Sequence, residues 1–126
     1  MANTPARIAI VYHSGYGHTA KVAEHVRKGA ASVKDAEVRL YKAEDLTSPD
    51  KGPWDELAAA DAIIFGSPTY MGSASGVMKT FIDATSKAWF NRTWANKIAA
   101  GFTVSGSLSG DKTVALQQFA TLAAQQ

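Results

Sequence analysis

The sequence predicts an α/β protein built on a doubly wound parallel sheet, and three features of the chain lead to this fold class. Segments with the composition of strands alternate with segments of helical periodicity along the 126 residues. Two strand segments, Ile8–Tyr12 and Ala62–Phe65, are continuous apolar runs, as expected where helices cover both faces of a sheet. Loops rich in glycine and hydroxyl residues follow three of the strands, where open parallel sheets bind their ligands.

The first half of the chain divides into a strand, a helix and a second strand. The strand Arg7–Tyr12 runs through a short loop into a helix predicted over Thr19–Val33. Four apolar side chains form one stripe of this helix: Val22, Val26, Ala30 and Val33. In the second strand, Ala36–Tyr41, apolar and polar side chains alternate, and this pattern is typical of an edge strand.

The second half repeats the alternation. The loop Thr47–Pro53 precedes a short helix over Trp54–Ala60, and the third strand is Ala62–Phe65. A further helix is indicated by core positions at helical spacing, namely Val77, Met78, Phe81 and Ile82. The apolar run Lys97–Val104 predicts a fourth buried strand, and Thr113–Ala124 predicts a last helix. The apolar face of that helix consists of Leu116, Phe119, Ala120 and Ala123.

Right-handed crossovers between these strands predict the order 2-1-3-4, with the second strand outermost. The printed sequence stops after the last helix, without the fifth strand and helix of a five-stranded doubly wound domain. We therefore expect a single domain over residues 1–126 that is C-terminally truncated. The uncovered fourth strand favours assembly into a homo-oligomer, a dimer or a tetramer.

Composition excludes several classes of function. The chain has no cysteine, so it has no disulfide, thiolate metal site or catalytic thiol. Its net charge of +2 is scattered, which argues against a nucleic-acid partner, and no apolar run has the length of a membrane span. The N-terminal MANTPAR lacks the pattern of a secretory signal, so a cytoplasmic protein is expected. The spacing of His13, His18 and His25 does not predict a metal site.

The loop Ser14–Thr19 after the first strand predicts an anion site. A strand that enters a helix through glycine and hydroxyl residues directs backbone N–H groups and a helix N-terminus to one point. The sequence has neither the GxxxxGK[ST] pattern of a triphosphate loop nor the GxGxxG pattern of a dinucleotide loop. Neutral donors suit a single terminal phosphate, and the alternative is an ordinary turn between a strand and a helix.

Two further loops lie at the same edge of the predicted sheet. The third strand is followed by Gly66–Gly76, GSPTYMGSASG, whose tip carries Thr69, Tyr70 and Met71. An aromatic ring and a thioether at this tip suit the edge of a flat ligand ring. The fourth strand is followed by Thr103–Gly110, TVSGSLSG. Three such loops at successive strand ends are more specific than any one of them, and together they predict a phosphate-bearing cofactor with a flat ring.

The motif SGYGHT, the segment GSPTYMGSASGVMKTFID and the third Ser/Gly loop resemble the flavodoxin-like superfamily. Within it they are most similar to the WrbA-type NAD(P)H:quinone oxidoreductases, and the resemblance covers Arg7 to about Gln126. It implies a flavodoxin-like doubly wound sheet, FMN as cofactor, NAD(P)H as reductant and usually a tetramer. The chain departs from the family where a His-Gly segment, a fifth strand and a final helix would follow.

The resemblance also implies roles for individual residues. The FMN phosphate would be held by Ser14, Gly15, Tyr16, Gly17, His18 and Thr19. The flavin ring would be lined by Pro68, Thr69, Tyr70, Met71 and Gly72 in the second loop. In the third loop the lining residues would be Val104, Ser105, Gly106, Ser107, Leu108 and Ser109. Tyr16 and Trp89 would contact the nicotinamide and quinone substrates.

The function expected from these features is two-electron hydride transfer from NAD(P)H through FMN to a quinone, in a ping-pong sequence. No side chain is assigned as catalytic, because the hydride chemistry belongs to the flavin. His18 is a candidate proton donor to the quinone, or a residue that caps the following helix. A one-electron flavodoxin-like carrier and an inactive flavin-binding domain are the alternatives. The first two loops contain no Asp or Glu, and this favours the reductase.

Other residues have structural interpretations. Trp54 is expected to pack a helix onto the sheet, whereas Trp89, Phe90 and Trp94 suit either core or subunit packing. The pattern from Ser109 to Lys112 matches the SxxK of serine acyl-enzymes, but the other motifs of those enzymes are missing. It is interpreted as a coincidence.

Overall fold

The computed structural model describes residues 4–126, so the first three residues of the predicted domain lie outside the described residues. The described strands are β1 (Ala6–Tyr12), β2 (Ala36–Lys42), β3 (Ala62–Tyr70), β4 (Ser73–Ala74) and β5 (Ile98–Val104). The four longer strands are parallel in the order β2-β1-β3-β5, and β4 pairs antiparallel with the end of β3. The predicted order 2-1-3-4 is therefore confirmed, with β5 as the fourth parallel strand.

The helices are α1 (His18–Ala31), α2 (Trp54–Ala58), α3 (Gly76–Ala84), α4 (Ser86–Phe90) and α5 (Thr113–Gln125), with a 3₁₀ helix at Ala43–Leu46. The predicted first helix, Thr19–Val33, starts one residue late and extends two residues too far at its C-terminal end. The Ser32 hydroxyl donates to the Gly29 carbonyl at 2.7 Å and competes with helical pairing at this end. Val33 therefore lies outside α1 and is 63% exposed.

An aromatic cluster on one face of the sheet forms the centre of the core. Phe65 of β3 stacks on Phe119 of α5 with ring centroids 5.9 Å apart, and Phe81 of α3 lies 6.2 Å from Phe65. Trp54 stacks on Phe81 at 5.9 Å, so its predicted packing role is confirmed. Trp94 is 4% exposed and belongs to this core. On the opposite face, α1 covers β1 and β2.

The prediction of a short third strand followed by a long loop is wrong. The ladder continues past Phe65, because residues 66–68 pair with residues 102–104 of β5. At Gly66 an added Cβ would lie 2.1 Å from Cζ of Phe102, so the close packing of that ring requires glycine here. Pro68, Thr69 and Tyr70 therefore project from a strand rather than from a loop.

The fourth parallel strand is not buried as predicted. Within residues 4–126, β5 pairs only with β3, and Ile98 is 71% exposed. The predicted apolar face of α5 is correct at Phe119, whereas Leu116 is 44% exposed. Ala115 and Leu122 are buried instead, on a helix that packs mainly against β5 and β4. At β2 the predicted edge position is confirmed, and half-buried Val38 and Leu40 alternate with exposed Glu37 and Arg39.

Candidate functional site

The three loops predicted from the sequence meet at the carboxyl ends of β1, β3 and β5. They enclose a cavity of about 360 Å³. Its lining residues are Gly15, Tyr16, His18, Thr19, Pro68, Thr69, Tyr70, Val104, Ser105 and Gly106. All of these belong to the set predicted to hold the cofactor. The parallel sheet thus brings residues at the ends of three separate strands together in one concave site.

The loop after β1 presents unpaired N–H donors at the start of α1. Gly17 precedes the helix with a φ of 96°, and no acidic residue lies in the first turn. The Ser14 hydroxyl oxygen accepts from the amides of Gly17 and Ala20, each at 3.1 Å. Among the described residues, the amides of Gly15, Tyr16, His18 and Thr19 have no acceptor. Neutral donors at a positive helix end form a donor set that fits a phosphate group.

Aromatic side chains form the wall next to these donors. Tyr70 lies edge-on to Tyr16 with centroids 6.3 Å apart, and Tyr16 is 84% exposed. At Gly15 an added Cβ would lie 2.1 Å from the Tyr70 hydroxyl oxygen. The absence of a side chain at Gly15 therefore lets the tyrosine of the second loop approach the backbone of the first. No carboxylate lines the cavity among the described residues, so the site suits a ligand with negative charge and an apolar ring.

The second loop is a tight hairpin between β3 and β4. Met71 and Gly72 have φ values of 49° and 81°, and positive φ at both central residues is typical of a type I′ turn. Glycine adopts this backbone freely, whereas methionine is strained in it. Met71 is fully exposed at the tip of the turn, outside the cavity lining.

We expect Met71→Asn to stabilise the protein by about 0.5–1 kcal/mol, because Asn-Gly is a preferred type I′ pair and no packing is lost. Leu108→Asn is the matched control, since Leu108 is also fully exposed but does not have positive φ. Urea denaturation of both variants measures the difference. An equal gain in the free energy of unfolding for Leu108→Asn would contradict the explanation from the positive φ at Met71.

The third loop is held by a polar cluster near its base. Lys112 Nζ donates to the Ser105 hydroxyl at 2.7 Å, to the Ser107 carbonyl at 2.8 Å and to Asp111 at 3.0 Å. The hydrogen bond from Lys112 is the main reason that the pKa of Asp111 lies below its usual value. Lys112 therefore positions Ser105. The serine and lysine of the SxxK pattern, Ser109 and Lys112, are not hydrogen-bonded to each other.

Polar links that the sequence analysis missed connect the loops to one another. Thr69 and Thr103 share a hydrogen bond of 2.6 Å between the ends of β3 and β5, next to the second and third loops. The Gln118 side chain accepts from the Ala74 amide at 2.8 Å and ties the hairpin to α5. His13 lies 2.7 Å from Ser75, and this link joins the first loop to the second. Ser75 had a signal in the sequence, as a serine just before an apolar helix, but its partner lies 62 positions away.

Several predicted site residues lie away from the cavity. Ser14 and Gly17 belong to the loop after β1 but do not line the cavity, and five others lie in the second and third loops outside the lining. These five are Met71, Gly72, Ser107, Leu108 and Ser109. Trp89 is half-exposed on a separate groove of about 520 Å³ between α4 and α5. The chain itself therefore does not bring Trp89 to the predicted cofactor site.

Two further properties of the described residues bear on the class of protein. No group of three or more His, Asp or Glu side chains is placed to hold a metal ion in residues 4–126. Over the same residues, the helices are too short or too polar to cross a lipid bilayer.

A parallel sheet of this order, with a glycine- and hydroxyl-rich loop of free amides after its first strand, defines a flavodoxin-like protein. A family model described as NADPH-dependent FMN reductase matches residues 7–126. The chain belongs to this family. The predicted similarity to WrbA-type proteins is confirmed by a crystal structure titled as a flavodoxin, WrbA-like protein from Agrobacterium tumefaciens. That structure is 45% identical with a TM-score of 0.83, over 95% of this chain and 73% of that chain.

Two curated relatives differ in their names. "Flavodoxin FldP" of Pseudomonas aeruginosa is 43% identical over 95% of this chain and 62% of its own length. An "NAD(P)H dehydrogenase (quinone)" of Geobacter sulfurreducens is 36% identical over 90% of this chain and 65% of its own length. The chain thus spans less than two thirds of the length of both relatives.

Proposed function

We propose that this chain binds FMN in the cavity between the three loops and passes hydride from NAD(P)H to a quinone in a two-electron, ping-pong reaction. The observation that carries the proposal is a single cavity lined at one end by free backbone donors and at the other by aromatic and small side chains. The family match and the quinone dehydrogenase relative support the same activity.

The residues of the first loop would bind the phosphate. Gly15, Tyr16, His18 and Thr19 line the cavity at the N-terminus of α1, and their amides and the Thr19 hydroxyl would be the donors. Thr19 is 2% exposed, so a hydrogen bond from its hydroxyl to the ligand would meet little competition from water. Ser14 would keep the loop in shape through its two amide contacts.

The second and third loops would orient the ring. Pro68, Thr69 and Tyr70 form one wall and Val104, Ser105 and Gly106 the other. Bound FMN would supply the hydride transfer, and the protein would supply orientation and electrostatics. Because no carboxylate lines the cavity among residues 4–126, no like charge opposes the negative charge gained on reduction. His18 is the histidine that lines the cavity, and we propose it as the proton donor to the quinone.

A one-electron carrier is the second candidate, because the relative of 43% identity is named a flavodoxin. The two functions differ in their use of pyridine nucleotide. A carrier receives electrons from a protein partner, whereas a reductase must admit a nicotinamide ring next to the flavin. The exposed Tyr16 at the mouth of the cavity favours the reductase, since it offers a flat surface to such a ring.

The test is an FMN titration of the 126-residue chain followed by steady-state kinetics with NADH or NADPH and a soluble benzoquinone. Saturable one-to-one binding with parallel double-reciprocal plots is the expected result. Tight FMN binding without reduction by either nucleotide would support the carrier instead. If the chain does not quench flavin fluorescence, neither function holds for these residues alone.

We also propose that copies of the chain assemble through the free edge of β5. An edge strand leaves backbone N–H and C=O groups unpaired, and Ile98–Val104 contains no charged residue or proline to prevent pairing. An apolar groove between β5 and α5 extends this surface. Trp89 would reach a substrate only in an assembly that places it at the cavity of another copy.

Light scattering should give a dimer or tetramer for the wild-type chain and a monomer for Ile98→Lys, because a charge on the edge opposes pairing. The matched control is Val33→Lys, another exposed apolar side chain away from β5. A monomeric wild-type chain would rule this assembly out.

A further inference from the structure

His13 directly follows β1, immediately before the loop Ser14–Thr19, and is 8% exposed. Its amide donates to the Gly66 carbonyl at 3.0 Å, and its Nδ1 lies 2.7 Å from Oγ of Ser75. Its Nε2 lies 3.9 Å from a carboxylate oxygen of Glu44. The imidazole is edge-on to Tyr70, with centroids 6.5 Å apart. His13 therefore contacts the elements around the cavity without lining it.

Ser75 is the point at which the second loop becomes a helix. It is 1% exposed, and its hydroxyl oxygen accepts from the Met78 amide at 3.2 Å as the N-cap of α3. The Ser75 amide donates to the hydroxyl oxygen of Ser67 at 3.0 Å. The Ser75 side chain thus links the hairpin, the start of α3 and the end of β1.

Each serine hydroxyl in this cluster has one hydrogen, and this limits which hydrogen bonds it can donate. The Ser67 hydroxyl has one hydrogen, and its shorter acceptor is the Pro68 carbonyl at 2.8 Å rather than Ser75 at 3.3 Å. The hydrogen of Ser75 is then free to go to Nδ1 of His13. This arrangement needs the His13 tautomer with its hydrogen on Nε2, the nitrogen that faces Glu44.

The arrangement of Glu44, His13 and Ser75 is not a nucleophilic site. A serine that is 1% exposed and caps a helix cannot reach a substrate carbonyl, and its hydroxyl oxygen is already an acceptor for Met78. The cluster has a different geometric consequence. It fixes the hairpin that carries Tyr70 against the end of the strand that carries the phosphate loop.

On the proposal that the chain binds FMN, we infer that His13 is a positioning residue for the ring half of the cofactor. Through Ser75 it holds the hairpin of residues 70–74 and sets the distance between Tyr70 and the backbone at Gly15. Its effect is on the ring and not on the phosphate, because none of the phosphate-loop amides bonds to His13 or Ser75.

The test compares FMN with riboflavin, which has the same ring and no phosphate. His13→Ala should weaken both ligands by the same factor, about tenfold, and leave the ratio of their dissociation constants unchanged. His13→Asn places an amide where Nδ1 lies and should restore binding to within about threefold of wild type, whereas His13→Gln places its amide elsewhere and should not. The double variant His13→Ala with Ser75→Ala should lose no more flavin affinity than the single variant with the larger loss.

The outcomes separate this inference from the function on which it rests. Wild-type protein that binds neither flavin would overturn both. If the wild type binds, then unchanged affinity in His13→Ala, or a loss confined to FMN, would overturn the positioning role alone. Amide exchange of Met78 and Tyr70 without ligand gives a second readout, which should accelerate in the Gln variant but not in the Asn variant. If His13→Ala does not fold, the flavin affinities of His13→Asn and His13→Gln still test the positioning role.

Discussion

The double substitution Ser14→Ala with Thr19→Ala is expected to weaken FMN binding about 100-fold, because one hydrogen bond to a charged group contributes about 1.5–3 kcal/mol and the loop amides also lose their support. Thr19 lines the cavity at the start of α1, and Ser14 holds two amides of the same loop in place. Riboflavin has no phosphate, so its affinity should change less than about threefold. Fluorescence quenching of both flavins measures the two affinities.

Ser109→Ala is the matched control for this experiment. Ser109 is an exposed serine in the third loop and lies outside the cavity lining, so both flavins should bind the variant as they bind the wild type. Equal losses of FMN and riboflavin in the double variant would indicate a general collapse of the loop. That result would contradict the proposal that this loop binds the phosphate of FMN.

The largest effect on stability is expected for Phe81→Ala, at about 3–5 kcal/mol. Phe81 is fully buried in α3 and contacts three aromatic rings, those of Trp54, Phe65 and Trp94. Removing the ring leaves a cavity that the rigid indole and phenyl neighbours cannot fill. The change in the free energy of unfolding is measured by urea denaturation.

Phe90→Ala supplies the comparison, because Phe90 is 79% exposed on α4. Its substitution should change the free energy of unfolding by less than about 0.5 kcal/mol. Because α3 also carries the Ser75 cap, we expect Phe81→Ala to weaken flavin binding as well. A loss of stability below about 1 kcal/mol would show that the aromatic cluster is not the centre of the core.

The strands and their order were predictable because their signals are local. Continuous apolar runs mark β1 and the first half of β3, and alternation marks β2, since a strand buried on two faces differs in composition from one buried on one face. The loop of free amides after β1 was predictable for a similar reason. Gly15, Gly17 and the hydroxyl residues around them lie within six positions, and the helix that follows begins where its periodicity begins.

The end of β3 and the burial of β5 were not predictable in the same way. Glycine and proline at positions 66–68 are typical of a loop, but pairing with β5 extends the strand through them. The composition of β5 is that of a buried strand, yet its burial depends on what covers its outer edge. A tertiary contact overrides the local preference at the end of β3, and at β5 the burial that the composition suggests depends on a neighbour outside the strand.

By itself the sequence determined the α/β class, the order of the parallel strands, the loop that presents free amides and the set from which the cavity lining is drawn. These features depend on neighbouring residues, and the parallel sheet then brings the carboxyl ends of its strands together. Only the tertiary structure decided that Trp89 lies on a separate groove and that His13 meets Ser75. The physical reason is that a hydrogen bond across 62 positions depends on the relative placement of a strand and a helix, which no local pattern of residues encodes.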